Sequence, residues 1–179
     1  VWELIRFSNL HPRVNILQPG PGVGGHCIAV DPWFIVNSAP KEARLIKEAR
    51  LVNDSKPNFV LDKINQAVNN SGKKKAELKI ACLGLSFKPN IDDMRESPAM
   101  DIALKVNLMG FNKLYIVEPN INILNSDFEL KNSQLLDLNS AIKRSDVIVL
   151  LVDHDQFKLI NLELLSGKHI IDTRGIWAI

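Results

Sequence analysis

At 179 residues, 46% hydrophobic and 23% charged, the chain has the balance of a water-soluble globular protein, with room for one domain and an appendage. Its net charge of +2 gives no basis for a nucleic-acid partner, and no apolar run approaches the ~18 residues that a membrane span needs. Two cysteines far apart, Cys27 and Cys82, make no disulfide framework and point to a reducing, cytoplasmic setting.

Residues 1–8 read as the last turns of an amphipathic helix, with Trp2, Leu4, Ile5 and Phe7 apolar. There is neither an initiator methionine nor a signal peptide, so the chain reads as part of a longer protein. Residues 9–25 form a connection rich in proline and glycine, of a length usually kept for function or left disordered. In it, Arg13 is either a solvated surface charge or a group that reaches an anion. The connection runs into Gly20-Pro21-Gly22-Val23-Gly24-Gly25-His26-Cys27, with Asp31 four residues on. If the chain turns helical after Gly25, Cys27 lies in the first turn, where free N–H groups and the helix dipole favour a thiolate. Asp31 then shares its face at i, i+4. The alternative is a buried cysteine beside a glycine-rich turn, with Asp31 capping a helix that starts at Pro32.

From 31 to 70 the apolar spacing is helical, predicting a short helix and then a longer one kinked or broken before Pro57. Beyond the Lys73-Lys74-Lys75 turn the character changes. Strands are predicted over 78–84, 113–117, 146–152 and 168–172. Helices are predicted over 100–109, 135–144 and 157–165, the first signalled by Ser97-Pro98. Strands alternating with helices predict an α/β fold: a doubly wound, Rossmann-like parallel sheet, preceded by a helical segment. Cys82 falls on a continuous apolar strand and belongs to the core.

Ligands of such sheets sit outside the carboxyl ends of the strands. Gly84-Leu85-Ser86-Phe87-Lys88, Glu118-Pro119, Asp153-His154-Asp155 and Asp172-Thr173-Arg174 converge there. The first loop lacks the second and third glycines of G-x-G-x-x-G, which disfavours a dinucleotide on that helix. Lys88, Arg95 and Arg174 at one sheet end suit an anionic ligand, although each alone could be a surface ion pair with a neighbour such as Asp92, Asp93 or Glu96. His154 and His169 read as structural or surface groups, and there is no metal-ligand spacing.

The run from Gly22 to Cys27 with Asp31, then Phe87-Lys88-Pro89-Asn90-Ile91-Asp92-Asp93-Met94-Arg95-Glu96-Ser97-Pro98, then Asp172-Thr173-Arg174-Gly175, resembles the nucleotide-sugar 6-dehydrogenase family. UDP-glucose, GDP-mannose and UDP-N-acetylmannosamine dehydrogenases belong to it. The wording of residues 11–21, 27–34 and 152–158 is most similar to the bacterial branch that takes UDP-N-acetyl-D-mannosamine. The resemblance implies an NAD-dependent oxidation of the sugar C6 to a carboxylate, by two hydride transfers, for surface polysaccharide synthesis. Cys27 would carry a thiohemiacetal and then a thioester, and Asp31 would assist proton transfer or activate water. It further implies substrate contacts from Arg13 (across a homodimer), Gln18, Gly22, Gly24, Phe87, Lys88 and Arg174, and an NAD contact from Arg95. His11 and His26 take no firm role, His26 being the stronger candidate.

Residues 1–72 match the end of the family's central, dimerising segment with the cysteine loop, and 73–179 its UDP-sugar domain. The cofactor fingerprint is absent, as is the family's upstream lysine–asparagine pair. The chain alone is therefore expected to be inactive, a C-terminal fragment with NAD held mainly elsewhere. Its sugar could instead be that of UDP-glucose, UDP-N-acetylglucosamine or GDP-mannose, or the chain could be a non-catalytic nucleotide-binding module.

Overall fold

The computed structural model describes residues 1–121 and 132–177. Three helices come first: α1 (Trp2–Ser8), α2 (Asp31–Ser38) and the long α3 (Arg44–Ser71). They are followed by β1 (Lys79–Leu83), α4 (Pro98–Asn107), β2 (Lys113–Val117), β3 (Ser133–Leu135), α5 (Leu138–Arg144), β4 (Val147–Leu150), α6 (Asp155–Lys158) and β5 (His169–Asp172). The five strands form one parallel sheet in the order β3-β2-β1-β4-β5. This is the expected α/β, Rossmann-like architecture, with all strand carboxyl ends along one edge.

Two apolar layers hold the sheet, and the period of two along each strand sorts residues between them. Ile80, Cys82, Leu114, Ile116, Val147 and Val149 meet α4 and the second half of α3, including Val60, Ile64 and Val68. Ala81, Leu83, Tyr115, Ile148 and Leu150 meet α5, Phe157, Leu165 and Trp177 on the other side. Each fully buried aliphatic side chain of this kind contributes roughly 1.5–3 kcal/mol. Local signals set the helix ends. The Ser97 side chain accepts from Met100 N with Pro98 next in line, the Asp137 side chain accepts from Ser140 N, and Gly72 ends α3 at a φ of 68°.

The structure departs from the sequence reading in four places. A fifth strand, β3, pairs with β2 at the sheet edge. It is three residues long and not apolar, and it takes Leu135 out of the helix predicted over 135–144. The helix predicted over 157–165 is two short pieces, α6 and a 3₁₀ turn at Leu162–Leu165, because Asn161 restarts the chain by accepting from Glu163 N at 3.0 Å. α3 runs unbroken through Pro57. Pro57 has no N–H for the carbonyl of Asn53 four residues earlier, and packing on the sheet by Val60, Ile64 and Val68 carries the helix past that gap.

The fourth departure concerns Cys27. It lies neither in α2 nor in the core: it is exposed, in a turn ahead of the helix. Val30 caps α2, and Asp31 is its first residue rather than its cap.

Candidate functional site

The Gly20–Gly25 run is laid against the carboxyl end of the sheet, where bare backbone is required. A side chain on Gly24 would collide with the backbone carbonyl of Glu96 and lie 2.7 Å from Pro98 Cδ. Gly25, at φ 89°, lies against the Phe87 ring, where a Cβ would come to 2.9 Å of Cε2. Gly22 faces Pro98 in the same way, and Gly20 faces the Arg174 guanidinium. The glycines thus bring the segment ahead of Cys27 into contact with Phe87, the Glu96–Pro98 turn and Arg174.

α3 holds this segment from behind. Asn53 accepts from Val23 N (2.8 Å) and donates to Val23 O (3.2 Å). One turn earlier, the buried Arg50 donates to Ile28 O at 3.4 Å and pairs with Asp54 at 2.7 Å. The Cys27 turn is therefore gripped on both sides by neighbouring positions of one helix face. Within it, Cys27 O accepts from Val30 N (3.0 Å) and Asp31 N (2.8 Å), which places Asp31 one helical turn from the thiol. Both residues are exposed, and Asp31 has no charged partner among the described residues.

Phe87 is half-buried, and His26 meets its ring edge-on at 6.4 Å between centroids. Lys88 is exposed, and its ammonium makes no ion pair among the described residues. Arg95 is spent locally: its Nε lies 3.0 Å from both Asp93 carboxylate oxygens, and Nη2 lies 2.6 Å from Oδ2. That side-chain bond is the main reason the Asp93 carboxyl falls to about 2, with a small contribution from the nearby charge of His26. Arg174 pairs with Asp153 at 2.8 Å, both four-fifths covered. The Asp172 carboxylate accepts from Arg174 N, Gly175 N and Trp177 N and so fixes the turn that carries Arg174.

Arg13 and Gln18 stand apart from the cluster. Both are exposed; Arg13 sits in a loop closed by a two-bond bridge from Asn9 to Ile16, and Gln18 follows two residues beyond that bridge. No hydrogen bond or ion pair among the described residues ties either side chain to the other candidates. Two clefts flank the cluster. One, of 570 Å³, lies between Val23, Trp33, Arg50 and Met100; the other, of 640 Å³, lies between Trp2, Gly20, Phe59 and Thr173. Neither is lined by Cys27, whose face is open.

Asn53 and Arg50 carry no sequence signal as site residues, since an Asn and an Arg on a helix are ordinary surface choices. The one hint is Pro57, which frees the Asn53 carbonyl toward Gly22. The buried Glu118–His154 contact (3.2 Å) behind Ser86 is the other feature that spacing does not disclose.

Comparison with known proteins agrees with this architecture. The family model for the UDP-glucose/GDP-mannose dehydrogenase family, UDP binding domain, matches residues 81–179, and that for the family's central domain matches residues 1–55. An NDP-N-acetyl-D-galactosaminuronic acid dehydrogenase of Ralstonia nicotianae is 53% identical over 178 residues, 99% of this chain and 41% of the relative. A UDP-N-acetyl-D-mannosamine dehydrogenase of Escherichia coli K12 is 54% identical over 181 residues, 99% of this chain and 43% of the relative. The solved structure of a UDP-D-ManNAc dehydrogenase from Pyrococcus horikoshii superposes with a TM-score of 0.82 at 32% identity, covering 98% of this chain and 40% of that one. The chain thus spans about two fifths of the length of these relatives. With two family models in order along one chain and half its residues shared with full-length members, this protein belongs to the UDP-glucose/GDP-mannose dehydrogenase family.

Proposed function

We propose that the chain is the substrate-binding and nucleophile-bearing part of an NAD-dependent dehydrogenase. The enzyme would oxidise C6 of a UDP-sugar, UDP-N-acetyl-D-mannosamine, to the uronic acid for surface polysaccharide synthesis. The observation that carries this reading is the seating of the Gly20–Gly25 run. It brings an exposed thiol within two residues of a ring, Phe87, that neighbours Lys88, an ammonium with no ion pair among the described residues. The two N-acetylated sugar relatives support the choice of sugar class.

In this reading Phe87, Lys88 and Arg174, with the backbone at Gln18, Gly22 and Gly24, bind the nucleotide sugar. Arg13 reaches it from a second copy in a cytoplasmic homodimer. The Cys27 thiolate adds to the C6 aldehyde, and the alkoxide takes a proton to give a thiohemiacetal. Once this is oxidised to the thioester, Asp31 activates the water that releases the acid and the thiol.

Of the chain's own residues only the exposed Arg95, once released from Asp93, would contact the cofactor, and they form no cradle: β1 runs into Gly84, against which Val152 is packed, and no other glycine lies between it and α4. Bound NAD supplies the hydride acceptor and is proposed to be held by another part of the parent enzyme. Residues 1–72 would be the end of the central dimerising domain and 73–179 the UDP-sugar domain, the second half of α3 serving as a cover of the sheet.

Calorimetric titration of the chain with UDP tests the nucleotide site. Binding in the millimolar range or tighter is expected, and no heat at millimolar UDP overturns it. In the parent enzyme, Cys27→Ala is expected to abolish formation of the acid, and normal turnover by that variant overturns the assigned chemistry.

A further inference from the structure

Behind Phe87 and Lys88 lies a buried polar group that the proposed chemistry does not use. His154 is 1% exposed, and both of its ring nitrogens are engaged. Asn90 N lies 2.9 Å from Nδ1, and Asn120 Nδ2 lies 3.2 Å from the same atom. A backbone N–H only donates, so Nδ1 must present a lone pair. The ring proton is then on Nε2, which faces Glu118 Oε2 at 3.2 Å and Ser86 Oγ at 3.4 Å. Burial raises the Glu118 carboxyl, but the hydrogen bonds from His154 and Leu85 outweigh it and leave the group below its ordinary value. An ionised carboxylate only accepts, which agrees with a proton on Nε2. The Ser86 hydroxyl donates to Lys88 O at 2.8 Å and so has an oxygen lone pair free for the ring.

We propose that His154 is a positioning residue. As a neutral imidazole protonated on Nε2, it latches the segment carrying Phe87 and Lys88 to the sheet end by accepting the Asn90 amide on Nδ1. The segment needs such a hold. Asn90 sits at φ 63°, a left-handed conformation that asparagine tolerates better than other non-glycine residues but that still needs local bonds to hold it. Its side chain also crosses to Asp155, donating to Oδ2 (2.9 Å) and accepting from Asp155 N (3.1 Å). Phe157 closes the far side of the ring edge-on at 5.2 Å between centroids. Lys88 lies inside the latched stretch, its carbonyl fixed by Ser86 and the amide two residues on fixed by His154. A doubly protonated ring would aim Nδ1–H at the Asn90 N–H and break the latch. The Glu118 contact is therefore a hydrogen bond between a carboxylate and a neutral ring, not an ion pair. The consequence for substrate rests on the UDP-sugar reading above; the latch itself does not.

Two measurements test it. Long-range proton–nitrogen spectra of the 15N-labelled chain at neutral pH are expected to show His154 neutral with its proton on Nε2. A proton on Nδ1 overturns the proposal, and this readout needs no variant to fold. The second measurement is amide exchange at Asn90 in two variants. His154→Asn can place an oxygen where Nδ1 stood, whereas His154→Gln can place an N–H where Nε2 stood. Asn90 is expected to stay protected in the first and to exchange at least about tenfold faster in the second, the usual worth of one buried hydrogen bond. Equal loss in both marks a mere packing role and overturns the latch. UDP titration of the same proteins is expected to show weaker binding for His154→Gln alone. If the unaltered chain binds no UDP, the nucleotide reading fails, while the ring spectra and the Asn90 exchange still decide the latch.

Discussion

Asn53 pairs with Val23 as a strand partner would, giving an acceptor to its N–H at 2.8 Å and a donor to its carbonyl at 3.2 Å. A side chain on a helix thereby satisfies both polar groups of a residue in an irregular loop. It does so four residues before Cys27, where the glycines on either side have no side chains to make such bonds. Asn53→Ala is expected to lower stability by about 1 kcal/mol, two partly exposed hydrogen bonds partly replaced by water. It should also speed amide exchange at Val23 more than in the core strand β1. Urea unfolding and hydrogen exchange check this, and unchanged exchange at Val23 would show that the loop holds itself.

Gly24 faces a harder limit. A Cβ there meets the backbone oxygen of Glu96 and the Pro98 ring, and neither can rotate aside. Gly24→Ala is expected to cost about 1–3 kcal/mol, the range for forced overpacking. The alternative is displacement of the loop, which would lift Gly25 from the Phe87 ring. A thermal melt reads the first outcome, and a change in Phe87 fluorescence-independent reporters such as its NMR ring shifts reads the second. A variant with native stability and native ring shifts would mean that the close approach is not required.

The four longer strands and the sheet class are legible in the sequence because β1, β2 and β4 are apolar runs between turn residues and β5 has an Ile170-Ile171 pair running into the Asp172-Thr173-Arg174-Gly175 turn. β3 is not, since Ser133-Gln134-Leu135 reads as any polar edge and is a strand only because β2 offers it partners. At Pro57 local chemistry predicts a kink or a break, and tertiary packing of Val60 and Ile64 rules out the break by keeping Arg44–Ser71 one helix. At the candidate site, the glycines and the cysteine announce themselves by composition. Asn53, Arg50 and His154 do not, because each acts through a partner more than twenty residues away along the chain.

Several carboxylates set the response to acid. Asp93 is held at about 2 by Arg95. Asp137 is held low by its cap bonds to Ser140, and Asp155 by Lys158. Glu118 is below its ordinary value despite burial, through His154 and Leu85. A carboxylate with a depressed folded value stabilises the fold above its unfolded value, here 3.8 for Asp and 4.5 for Glu, and that stabilisation is lost as pH falls through the folded value. Urea midpoints are therefore expected to be flat above pH ~5 and to fall progressively between ~4 and ~2. Asp137→Asn keeps an acceptor for Ser140 N and removes one titrating group, so its acid slope should be shallower. A midpoint that rises on acidification would contradict these assignments.

The two thiols should separate cleanly. Cys82 lies on β1 with no exposed surface, between the β2 and β4 strands that pair with it. Burial in that apolar layer pushes its thiol up to about 12. At pH ~8 about one Cys82 in ten thousand would be ionised, and alkylation needs both a thiolate and access. Cys27 is exposed in its turn, with the loop ahead of it pinned by Asn53 and the carbonyl after it by Arg50. Iodoacetamide applied to the folded chain is expected to label Cys27 alone, with Cys82 appearing only in urea at the rate of global unfolding. Labelling of Cys82 in step with Cys27 under native conditions would show that the sheet opens locally at β1, and the core assignment would fall with it.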